Sequence, residues 1–62
     1  MFEYMTIVGN KVSINPKYIT AISNSECNEG QCLIYLTDTR WIVSESYDTV
    51  CEHYGNWLLG CN

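Results

Sequence analysis

Residues Gln31 to Leu59 read QCLIYLTDTRWIVSESYDTVCEHYGNWLL, and the spacing of the apolar residues changes within this run. In QCLIYLT (31–37) and RWIVSE (40–45) the period is two. Cys32, Ile34 and Leu36 then share one face of a first strand, and Trp41 and Val43 one face of a second. Asp38-Thr39 reads as the hairpin turn between them. From Ser46 onward the period lengthens to about 3.6, the signature of an amphipathic helix. The helix is expected over about residues 46–59, with Ser46 as N-cap, Gly60 at C′, and Tyr47, Val50, Tyr54, Trp57, Leu58 and Cys61 on its packed side. Asp48 and Glu52 fall on the opposite side, toward the helix end whose dipole favours carboxylates. Gly55 costs about 1 kcal/mol relative to alanine inside a helix, so the last turns require Trp57 and Leu58 to pack against something.

Outward from this core, FEYMTIV and KVSIN flank Gly9-Asn10, two residues that accept the positive φ of tight hairpin turns. Asn15 caps a short turn opened by Pro16, YITAIS returns to strand, and NSECNEG is a polar loop. The fold class is therefore α+β: one domain, 1–62, with a small antiparallel β-meander of four or five strands and one C-terminal helix packed on it.

A 62-residue chain buries only about 60% of its unfolded surface, so oligomerisation, a disulfide or a metal would each be a natural supplement. A hydrophobic fraction of 47% is too high for disorder, and no apolar run approaches the ~20 residues of a membrane span. MFEYMTIVGN has an acid where a signal peptide has its basic region, so a cytoplasmic location with reduced cysteines is expected. Seven acids face only Lys11, Lys17 and Arg40, a net charge of −4 that disfavours direct nucleic-acid binding and suits a basic protein partner, including a nucleic-acid-binding one. The same charge also serves solubility.

Metal and thiol chemistry would have to come from Cys27, Cys32, Cys51, Cys61 and His53. Cys27 and Cys32 have the widest spacing of a zinc knuckle, but Cys51 and His53, two apart on a helix, diverge. Cys32 alternates in phase with Ile34 and Leu36 and reads as a small core residue, and Cys51 and Cys61 read alike. No metal, cofactor or catalytic residue is expected. There is no phosphate-binding loop, and His53 points away from the nearest thiol in sequence.

With Cys32, Ile34, Leu36, Trp41 and Val43 facing the helix, Leu33, Tyr35 and Ile42 point to the other side of the sheet. Two coverings of that face are open: a second copy, making Leu33, Tyr35 and Ile42 an oligomer interface, or the N-terminal hairpin closing a small barrel. The acids Glu45, Asp48 and Glu52, with Glu26 and Glu29 from the loop, form a candidate partner-binding surface for which Tyr18, Tyr35 and Trp41 would be aromatic anchors.

The segments VSINPKYITAIS and CLIYLTDTRWIVSESYDTV resemble the small FlbD-type flagellar and swarming proteins and similar short phage or mobile-element proteins. The resemblance runs from about Val12 to Val50 and rests on Asn15-Pro16, the apolar pair Ile19 and Ile22, and the Glu45-Ser46 junction. It departs at Asp38-Thr39, where that family has Asn-Gly, and at the inserted SECNEG. It implies the hairpin-and-helix architecture and a regulatory or motility-associated interaction role. In size, acidity and lack of a catalytic motif the chain is also similar to small phage inhibitors of host defence, such as anti-CRISPR proteins. That similarity leads to the expected function, a phage or mobile-element inhibitor of a host defence complex. The alternatives are the FlbD-like role and a small-molecule-binding oligomer.

Overall fold

The computed structural model describes residues 1–24 and 28–60. Among these, β1 (Phe2–Met5) and β2 (Lys11–Ile14) form an antiparallel hairpin. A 3-10 turn (Pro16–Tyr18) leads into a three-stranded antiparallel sheet of β3 (Ile19–Ser23), β4 (Cys32–Leu36) and β5 (Arg40–Val43), and α1 (Tyr47–Gly60) follows. The small α+β architecture of five strands and one helix agrees with the expectation, divided into two sheets rather than one meander.

The 3-10 turn forms as its sequence dictates: Asn15 Oδ1 accepts from the Lys17 N–H at 3.0 Å, and Pro16 stands where no donor is needed. In β3, Ile19 and Ile22 are three apart and would face opposite sides of a regular strand. A register shift between Ile19 and Ala21 resets the alternation, so Ile19 pairs with Leu36 and Ile22 with Ile34, and both reach the core face.

The β4–β5 register sets Cys32 opposite Val43 and Tyr35 opposite Arg40, with the Leu36 N–H donating to the Thr39 carbonyl at 2.8 Å. The turn therefore sits one residue earlier than Asp38-Thr39. That moves the pairing by two residues and leaves every side chain on its expected face.

Hairpin and helix share one core. Tyr4 and Ile14 from the hairpin, Ile19, Cys32, Ile34 and Val43 from the sheet, and Val50 from α1 are buried together, with Phe2, Val12, Ile22, Leu36, Tyr47 and Tyr54 packed around them. Thr6, itself buried, joins the hairpin to β5: it bridges to Val43, the Ser44 N–H donates to the Met5 carbonyl at 2.7 Å, and the Ile7 N–H donates to the Ile42 carbonyl at 3.3 Å. The hairpin thus packs on the helix side of the sheet and does not fold over the opposite face.

Two expectations are corrected. Leu33, assigned to an exposed interface, is only 5% exposed. It lies on the central strand, flanked in register by Ser23 and Ile42 on the same face, so its neighbours in the same chain cover it. Leu58, assigned to the packed side of the helix, is 52% exposed, and Leu59 is 81% exposed. Fully buried Val50 marks the packed side of α1, and at 3.6 residues per turn Leu58 falls about 80° from it and Leu59 about 180°, so Leu58 lies at the margin of that side and Leu59 faces away from it. No helix among the described residues is long and apolar enough to cross a membrane.

Candidate functional site

The strands run between two ends with different chemistry. At the end where β4 begins and β5 finishes, the loop before β4 meets the start of α1. Gly30, at φ +84°, and the Gln31 N–H donating to the Asn28 carbonyl at 3.0 Å fold residues 28–31 into a turn. Across from it, Ser46 caps the helix: its Oγ accepts from the Thr49 N–H at 3.2 Å and its hydroxyl donates to Thr49 Oγ1 at 2.7 Å, while its carbonyl takes the Val50 N–H.

Between these segments lies an open cleft of about 270 Å³, lined by Asn24, Asn28, Glu29, Gly30, Gln31, Ser46, Tyr47 and Asp48. Glu29 and Asp48, from separate elements, share this cleft and both are exposed. Glu45 is half-buried just before the cap, and Glu52 is exposed one turn beyond Asp48. The surroundings are carboxylates, amides and a hydroxyl, which suit lysine and arginine side chains better than an apolar ligand. The Tyr47 hydroxyl is held above its ordinary pKa, chiefly by its interaction with the Cys51 thiol one turn along the helix.

The expected anchors are not gathered here. Tyr18 lies at the opposite end of the sheet, in a groove of about 310 Å³ with Ser13, Asn15, Leu36 and Asp38, and Lys17 Nζ stands 5.9 Å from its ring centre. Tyr35, half-buried, pairs with Arg40 toward that same end, and Trp41 lies one residue in from it. The grouping of Tyr18, Tyr35 and Trp41 with the acids is therefore corrected: Tyr47, read from sequence as a core residue alone, is the aromatic that lines the acidic cleft. Its position at the first turn of a capped helix is the signal that could have found it. Glu26, Cys27 and Cys61 lie outside the described residues.

Cys32 is fully buried, its thiol donating to the Leu33 carbonyl at 3.8 Å, as its phase in β4 suggested. Cys51 is half-buried on α1. His53 is turned toward the hairpin, with Nδ1 2.8 Å from the Tyr4 hydroxyl, so the thiol and the imidazole do not converge. Among the described residues no group of three or more His, Cys, Asp or Glu is placed to hold a metal ion.

The chain matches no family model, no curated protein and no solved structure in the comparisons made.

Proposed function

We propose that this chain is a non-catalytic protein-binding module that takes a basic partner at its acidic end. The observation that carries this reading is the convergence of Glu29 and Asp48 on one open cleft, while Lys17 and Arg40 stand toward the other end of the sheet with Asp38 as the acid there. Such a separation gives the molecule a directed field that orients an incoming basic surface and speeds its encounter. Tyr47 supplies apolar area to the cleft lining, and Glu45 and Glu52 add carboxylates before and after Asp48 in the chain.

In its specific form, the proposed role is that of a phage or mobile-element inhibitor of a host defence complex. The acidic end would occupy the basic groove through which such a complex binds nucleic acid. The test is competition: binding of duplex DNA by a purified nucleic-acid-guided defence complex is measured with and without this protein. Inhibition that disappears in the Glu29→Lys/Asp48→Lys variant supports the role, and a complex that binds DNA equally well in its presence removes it.

A further inference from the structure

The tip of the β1–β2 hairpin carries residues that the turn itself does not require. The Gly9 N–H donates to the Thr6 carbonyl at 3.0 Å and Gly9 has φ +91°, so Thr6–Gly9 is a turn whose two central residues are Ile7 and Val8. These positions ordinarily take proline or small polar residues, yet Ile7 is 46% and Val8 75% exposed. Beside them, between the tip and the start of β5, is an open groove of about 230 Å³ to which Ile7, Val8, Trp41 and Ile42 contribute apolar surface and Arg40 a positive charge. No carboxylate lines it among the described residues, in a chain where acids outnumber cations seven to three.

A second apolar feature is equally unaccounted for. Leu58 and Leu59 stand exposed near the end of α1, and Glu52, two helical turns before Leu59, lies on the same face as Leu59 about 10 Å away.

We infer that these are the two halves of one contact: the end of α1 of one copy docks into the groove of a second copy, with Leu58 and Leu59 against Ile7, Val8, Trp41 and Ile42, and Glu52 toward Arg40. Charge selects this pairing. Groove against groove would bring two Arg40 side chains together, and helix end against helix end would do the same with two Glu52 carboxylates, whereas helix end to groove joins opposite charges. Because the patches differ, two copies can make the contact twice about a two-fold axis, or many copies once each in a growing chain. A core as small as this one gains from either arrangement. The inference goes beyond the proposed function: the groove and the two leucines are separate from the Glu29 and Asp48 cleft, and Glu52 is the one residue that both readings use.

Sedimentation velocity from micromolar to millimolar chain concentration, at low and high salt, tests it. The wild-type average mass is expected to rise above the monomer value with concentration and to fall with salt. Arg40→Glu and Glu52→Arg should each sediment as a monomer alone, and an equimolar mixture should associate again, because each contact in the mixture then joins opposite charges. Leu59→Ser, at a site too exposed to disturb folding, should weaken association about tenfold or more. Glu29→Lys/Asp48→Lys should associate like the wild type, so failure of the partner-binding reading would leave this result untouched. A wild-type chain that stays monomeric, a mixture no more associated than its components, or a monomer that instead takes an acidic leucine-containing peptide in the groove overturns the assignment.

Discussion

The Tyr4 hydroxyl lies 2.8 Å from Nδ1 of His53, and the two rings stack with centroids 6.0 Å apart and planes 12° from parallel. Phe2 meets the His53 ring edge-on at 6.4 Å. This cluster ties the first strand of the chain to its helix. Tyr4→Phe keeps the ring and removes the hydrogen bond, and should cost about 1 kcal/mol of unfolding free energy in urea titrations. Tyr4→Ala removes the buried ring as well and should cost about 3 kcal/mol.

The same tyrosine gives the protein an alkaline limit. Burial, then the Glu45 carboxylate and Cys32, push the Tyr4 pKa up to about 12 from its ordinary 10.0. The folded state therefore favours the neutral phenol. Its contribution is fully present below pH 10.0 and is lost as pH rises toward about 12. Urea midpoints followed upward from about pH 8 should fall more steeply for the wild type than for Tyr4→Phe. Equal slopes would mean that Tyr4 does not carry the effect.

Ser46 holds the junction between sheet and helix. Ser46→Ala leaves the Thr49 N–H without its side-chain acceptor and should cost about 1 kcal/mol, with a loss of helical circular dichroism. Ser46→Asp should restore most of it, since aspartate caps equally well and suits the helix dipole.

The core is small enough for one deletion to be decisive. A 62-residue domain is worth about 3–9 kcal/mol in total, and Ile34→Ala, at a fully buried central position, should cost about 3 kcal/mol. Ile34→Val should cost about 1 kcal/mol. Leu59→Ser, in contrast, should leave the monomer's stability within about 0.5 kcal/mol. Thermal melts of the three variants check this order.

The strands, the capped helix and the inward position of Cys32 were legible because periodicity and capping are local signals. What the sequence did not reveal depends on where elements end in space. Apolar residues continue through Ile7 and Val8 with no turn former before Gly9, so nothing local marks Ile7 and Val8 as a turn tip. The helical stripe places Leu58 near the packed side of α1, but how far the core reaches around the helix is set by the fold, which leaves Leu58 52% exposed. Leu33 faces away from the helix as its phase requires, and only the cross-strand neighbours decide that it is covered. Residue type alone groups Tyr18 and Trp41 with the acids, whereas the register of β3, β4 and β5 sends them toward the other end.

In the proposed function the acidic end, rather than net charge, selects a basic partner. A titration with a lysine- and arginine-rich peptide, followed by amide chemical shifts, tests it in three chains: the wild type, Glu29→Lys/Asp48→Lys, and Glu3→Lys/Asp38→Lys, which makes the same change of charge elsewhere on the exposed surface. Shifts are expected to group at residues 28–31 and 46–49, to vanish in the first variant and to persist in the second. Equal loss of binding in both variants, or shifts centred on another surface, would contradict it.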